Sequence, residues 1–188
     1  MPKYSSILSG VIIFAYPLAV YWGVSSFGIG SSAIVIAGLF LFRFFCPPIT
    51  KTVVKYAKAV RFLAAVGVIL ASLSWLMQDS RWFLYYPVAV NLIFLALFSY
   101  SLIQPPSMIE RFARLKEPDL PESGVKYTRM ITKIWCLFFF LNGLAALYTS
   151  VVSSLEVWTL YNGFISYLLI GFLVSGEYFY RVYYLKRF

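Results

Sequence analysis

Apolar residues in this chain gather into long uninterrupted runs without the period-2 alternation of half-buried strands. Six runs come close to the roughly 20 residues needed to cross a bilayer core. They fall at 5–24, 29–46, 60–78, 82–102, 131–152 and 157–179. Each predicts a transmembrane helix, because a helix satisfies every backbone N–H and C=O within lipid. The missing alternation argues against an outer-membrane type of barrel. The predicted fold is all-α: one integral membrane domain over 1–188, a polytopic six-helix bundle. The first run follows Lys3 without a small-residue cleavage site, so it is expected to be a retained helix, not a removed signal peptide.

Composition agrees. Hydrophobic residues make up 61% of the chain and charged residues 12%, against roughly 45–50% and about 25% in soluble domains. A water-soluble fold of 188 residues cannot hide that much apolar surface. The shortage of polar residues equally excludes disorder.

Charge then orients the spans. Of the 16 Lys and Arg residues, all but Arg81 fall on one side of the six-span arrangement. Arg43, Lys51, Lys55, Lys58 and Arg61 surround the second connection. Arg111, Arg114, Lys116, Lys126, Arg129 and Lys133 surround the fourth. Lys3 opens the chain; Arg181, Lys186 and Arg187 close it. Cations accumulate on the cytoplasmic side, so both termini are expected in the cytoplasm. The net charge of +9 is then a topology signal, and no nucleic-acid recognition motif accompanies it.

The cytoplasmic connections hold nearly all the soluble sequence, and short interfacial helices are expected there. Pro47 and Pro48 stop the second span. After them Lys51, Lys55 and Lys58 share one helical face and Val53, Val54, Ala57 and Val60 another, a pattern suited to anionic headgroups. Pro105 and Pro106 stop the fourth span. Ser107 and Glu110 have the spacing of a capping box, which starts a helix at Met108 within an amphipathic cytoplasmic segment, 107–125. Its apolar face is expected to be Met108, Ile109, Phe112 and Leu115, with Glu110, Arg111 and Arg114 opposite and Glu110–Arg114 an i, i+4 pair. Pro118-Asp119-Leu120-Pro121 ends it. Arg111, Arg114 and Lys116, with Lys51, Lys55 and Lys58, are the candidate docking cations for lipid headgroups or a partner.

Polar residues inside lipid need partners. Asn91 and Asn142 lie at similar depth in spans four and five, so their amides are expected to meet. Pro87, one turn before Asn91, should bend span four and free a carbonyl. Asn162 and Ser166 lie in span six, where Gly163, Ser166, Ile170, Leu173 and Glu177 form a stripe. Cys136, Phe139, Gly143, Ala146 and Ser150 match it on span five, predicting a tight antiparallel pair. Gly171 and Ser175 leave a second small-residue edge for another helix or another protomer of a homo-oligomer. Glu177 is expected to pair with Arg129, Lys133 or Arg181 in a cytoplasmic-end cluster.

Catalytic chemistry is scarce. There is no histidine, which removes imidazole metal sites, Ser-His and Cys-His pairs and His relays. Cys46 and Cys136 are not placed for a disulfide. No metal, cofactor or catalytic residue is expected.

Several stretches do resemble a family. Met108-Ile109-Glu110-Arg111, Pro118-Asp119-Leu120-Pro121, and Tyr127-Thr128-Arg129 through Thr132, Trp135, Phe138, Phe139, Asn142 and Gly143 are similar to small bacterial inner-membrane proteins. So are Trp158, Tyr161-Asn162-Gly163, Ile165-Ser166-Tyr167, Gly171 and Gly176-Glu177-Tyr178. The resemblance covers about residues 105–185; some of those proteins carry a DNA-gyrase label that six spans contradict. It implies a place among aryl-polyene or related fatty-acid-type synthesis, beside acyl carrier proteins and acyltransferases, and carries over no catalytic residues. The expected function is a non-catalytic inner-membrane subunit that docks such acyl-chain machinery, its basic face attracting an acidic acyl carrier protein. The alternatives are a transporter or flippase of a lipid-linked product and an intramembrane acyl or lipid transferase. No mid-membrane ionisable residue or internal repeat favours the transporter, and no paired acidic motif favours the transferase.

Overall fold

The computed structural model describes residues 2–45 and 57–183, and these are helical with short connections. The helices are α1 (Pro2–Phe45), α2 (Ala57–Met77), α3 (Arg81–Leu84), α4 (Tyr86–Ile103), α5 (Met108–Ala113), α6 (Glu122–Val152), α7 (Leu155–Leu160) and α8 (Ser166–Tyr183), with a π turn, Tyr161–Ile165, between the last two. Among the described residues five stretches are long and apolar enough to cross a membrane: Tyr16–Phe45, Val60–Met77, Arg81–Ile103, Glu122–Val152 and Leu155–Val182. Large apolar side chains face outward, including Trp22, Ile34, Leu76, Ile103 and Phe172, while Ser74, Ser101, Thr132, Asn142 and Asn162 are buried. That reversal of the soluble pattern is what lipid as solvent selects. This is a membrane protein.

The boundary expected between the runs 5–24 and 29–46 shrinks to one residue. Helix runs continuously on both sides of Gly28, which alone leaves helical geometry at φ 75° and ψ 176°. The chain nevertheless doubles back there. The rings of Tyr16 and Phe40 lie 5.8 Å apart, whereas 24 residues of straight helix would separate them by about 36 Å. A Cβ on Gly23 would sit 3.1 Å from Ser32 Oγ across the two arms. Glycine is required at the reversal because that region of backbone space is closed to other residues. Ser32 Oγ donates to the Gly28 carbonyl at 2.6 Å, satisfying a group the break leaves open.

Span four is broken as Pro87 predicts. Proline has no N–H for the Phe83 carbonyl one turn back, and α3 and α4 part at Tyr85. Tyr16 Oη donates to Phe83 O at 2.8 Å. The Leu84 carbonyl accepts from Ser150 Oγ at 2.7 Å and Trp158 Nε1 at 3.1 Å. The regular ladder resumes where Ala89 N–H reaches Tyr85 O. Beside the break, the Arg81 guanidinium hydrogen-bonds Asp79 and holds its carboxyl below the ordinary carboxylate range.

By packing, the chain forms two compact units: Met1–Val90 with Ala146–Ser166, and Asn91–Ala145 with Tyr167–Phe188. The first is built around fully buried Val20, Phe83 and Trp158 and the ring trio Tyr16, Phe40 and Tyr86, whose Tyr86 contacts are 4.6 and 4.8 Å. Here α1 and α2 touch at Gly67, where a Cβ would fall 2.5 Å from the Phe40 ring. The second is built around Phe94, Phe98, Trp135 and Phe139, with Phe139 centred 5.1–5.5 Å from the other three rings.

The small-residue stripes of spans five and six do not pair as expected. Gly143 lies against Asn91 of α4, and Gly163 against Pro17 of α1, with Cβ approaches of 3.2 and 3.3 Å. Ser150 bonds the Leu84 carbonyl instead of span six. Prolines and freed carbonyls elsewhere supply closer partners than a small-residue match. Spans five and six instead meet through polar contacts. Within the first unit Asn162 Nδ2 donates to Thr149 Oγ1 at 3.1 Å and to Trp158 O at 3.0 Å, and Ser166 is buried nearby. The π turn closes with Ser166 N–H on Tyr161 O, so Asn162 takes over the Trp158 carbonyl beside the extra residue.

Candidate functional site

The 104–121 connection is the most elaborated non-spanning segment among the described residues. It begins at the two prolines that end α4. Arg111 folds back to donate from Nε to Pro106 O at 2.7 Å and from its terminal nitrogen to Gln104 O at 3.2 Å. These are carbonyls of the connection just past the end of α4, which no helical ladder satisfies. Glu110 reaches back as a capping-box residue does, accepting from Ser107 N–H at 3.3 Å. Its other oxygen takes Arg114 at 2.8 Å, and Arg114 also donates to Pro118 O at 2.8 Å. Glu110 is buried despite its charge, because both its oxygens are paired.

The first turn of α5 is pinned from two sides. Met108 N–H donates to Ser101 Oγ of α4 at 2.8 Å. Ile109 N–H donates to Thr132 Oγ1 of α6 at 3.3 Å, and Thr132 itself bonds Thr128 O. These contacts turn Met108 and Glu110 inward and rotate Phe112 (44% exposed) and Leu115 (67% exposed) outward. The expected faces are therefore corrected. Met108 is inside, Phe112 and Leu115 are outside, and Glu110 has left the polar face for the interior. The helix ends at Ala113, and residues 122–125, expected in this segment, belong to α6.

The candidate docking cations separate accordingly. Arg111 and Arg114 are held by intramolecular partners, whereas Lys116 is exposed. Lys51 and Lys55, like Cys46, lie outside the described residues; Lys58 falls in the first turn of α2. The exposed surface beside α5 is the polar run from Lys116 to Asp119 and from Pro121 to Ser123, continued by Lys126, Arg129 and Lys133.

Among the three cations expected around Glu177, Arg181 takes it at 3.3 Å. Tyr127 Oη, which was not among the partners expected of Glu177, donates to the same carboxylate at 3.1 Å. Tyr127 also stacks on Tyr180 with rings 6.2 Å apart, and Arg181 lies over the Tyr178 ring. Arg129 goes to Leu102 O at 3.0 Å, capping α4. Lys133 pairs with no carboxylate among the described residues. A cation one turn ahead on the same helix reaches Glu177 more easily than one on α6 that can satisfy a helix end.

Asn142 Nδ2 donates to Asn91 Oδ1 at 3.0 Å, and both side chains are buried. This is the amide contact that equal depth predicted. Among the described residues no three His, Cys, Asp or Glu side chains come together as a metal site. Comparison with family models, curated proteins and solved structures finds no match. Of the residues that position α5, Ser101 was missed by the sequence reading and Thr132 entered it only within the family resemblance, without this role. Their signal was a hydroxyl set inside each span end that flanks the proline-stopped connection.

Proposed function

We propose that this chain is a six-pass subunit of the bacterial inner membrane, with both termini cytoplasmic, that docks cytoplasmic acyl-chain machinery at the bilayer without catalysing its chemistry. The doubling back at Gly28 supports counting two passes in α1, and the one-sided distribution of Lys and Arg supports the orientation. One observation carries the docking role. The 104–121 connection is fastened to α4 by Ser101 and to α6 by Thr132, is braced within itself by Glu110, Arg111 and Arg114, and so holds an exposed polar surface in fixed position. A linker needs no such construction, whereas a platform loses less ordering entropy when a partner binds. Lys116, Lys126, Arg129 and Lys133 outnumber the acids Glu117, Asp119 and Glu122 on that surface by one, with Lys126 paired to Glu122 at 2.8 Å, and this slight positive excess suits an acidic partner such as an acyl carrier protein.

The test is co-purification in detergent with an acidic acyl carrier protein. The single variants Lys116→Glu and Lys126→Glu leave the helix-capping arginines intact. Binding that falls with each charge reversal and with added salt supports docking. Binding that ignores both, or never occurs, counts against it. Flipping of a labelled lipid by the purified protein alone would favour the transporter instead.

A further inference from the structure

The outward turn of Phe112 and Leu115 has a specific partner in the geometry. Met108 and Ile109 bond Ser101 and Thr132, and both hydroxyls lie within the apolar runs 82–102 and 131–152. The start of α5 is therefore level with span ends. Phe112 and Leu115 follow at the next turn, exposed, with Lys116 exposed beside them. An apolar pair at interface depth, next to a cation, matches the layer where acyl chains give way to headgroup phosphates.

We infer that the segment Met108–Lys116 is a membrane-immersed foot. Phe112 and Leu115 sit among the upper acyl chains of the adjoining leaflet, and Lys116 stands at headgroup level, at the membrane edge of the docking surface. The polar stretch beyond it, from Glu117 to Ser123, stays in water. A foot of this kind fixes the height of the platform above the bilayer, so a docked partner would meet the surface at one distance. The inference rests on the membrane-spanning reading of α4 and α6, and it holds whichever face of the membrane the segment occupies.

Depth can be measured directly. With Cys46 and Cys136 replaced by alanine, nitroxide labels are placed singly by Phe112→Cys, Leu115→Cys, Lys116→Cys and Asp119→Cys. The proteins are reconstituted into bilayers of phosphatidylcholine and phosphatidylglycerol. Collision with oxygen and with a water-soluble nickel chelate is then compared. Labels at 112 and 115 should collide with oxygen and lose access to the chelate, 119 should show the reverse, and 116 should fall between. The label at Lys116 disturbs no packing, so it reads depth even if a core-side variant folds poorly. Chelate access at 112, 115 and 116 equal to that at 119 would overturn the immersion. Spin–spin broadening at 112 or 115 would place a second protomer there and overturn it too. Failure of the acyl carrier protein to bind the chain with Lys116 intact, with these depths as expected, would sink the docking role alone.

Discussion

At the residue scale, the interior is held by polar groups that spans cannot leave unpaired. Asn91 and Asn142 were legible from sequence because two amides at one depth have few other partners in lipid. The Phe83 carbonyl was half legible: Pro87 announces a free acceptor but not its donor, and Tyr16 is 67 residues away. An Asn91→Ala, Asn142→Ala double-mutant cycle, read by reversible unfolding in mixed micelles, should give a coupling of about 0.6 kcal/mol and at most roughly 1.7. Additive losses would mean that the amide bond contributes nothing. Glycines offer a sharper contrast. Gly67→Ala drives a methyl into the Phe40 ring and should cost about 1–3 kcal/mol. Gly171→Ala meets nothing within 4 Å and should be neutral or stabilising by up to about 1 kcal/mol. Equal destabilisation of the two would contradict the α1–α2 packing.

At the element scale, breaks carry the information. A single glycine reverses α1, and the sequence marked the place but overstated its length, since apolar runs record burial in lipid and not where helical geometry ends. The faces of α5 were misassigned for a related reason. Six residues are too few for periodicity to decide, and a capping-box carboxylate that folds back toward Ser107 overrides its own polarity. With lipid outside, turning Phe112 outward carries no hydrophobic penalty. Glu110→Ala removes the acceptor of the Ser107 N–H and leaves Arg114 with Pro118 O alone, and should cost about 1–3 kcal/mol. The loss should be local. Protease cleavage between 104 and 121 in proteoliposomes should accelerate while the spanning helices keep their circular dichroism. Cleavage at the wild-type rate would show that the connection is held by something else. Gly28→Val should cost about 1–3 kcal/mol through backbone strain alone, measured in the same micelle unfolding assay.

At the scale of the whole molecule, the passes, their order and the side on which the long connection emerges are one question, because each pass reverses the chain. The hydropathy runs counted six, while length and composition alone count five, since Gly28 divides one helix of 44 residues. The difference is decided by the chain's path at Gly28. If both arms of α1 cross, Ser26 and Glu156 emerge on one face and Asp119 on the other. If the arms turn within one leaflet, Ser26 joins Asp119 or is reached from neither side. All three residues are exposed and none makes an ion pair among the described residues, so cysteine should replace each without loss of packing. In a background lacking Cys46 and Cys136, a membrane-impermeant maleimide applied to intact spheroplasts should label 26 and 156. Position 119 should label only after permeabilisation, because the cations around it favour the inner face. Labelling of 119 from outside would invert the orientation and remove the basis for a cytoplasmic partner. Labelling of 26 together with 119 would leave the fold helical but make the Gly28 hairpin re-entrant.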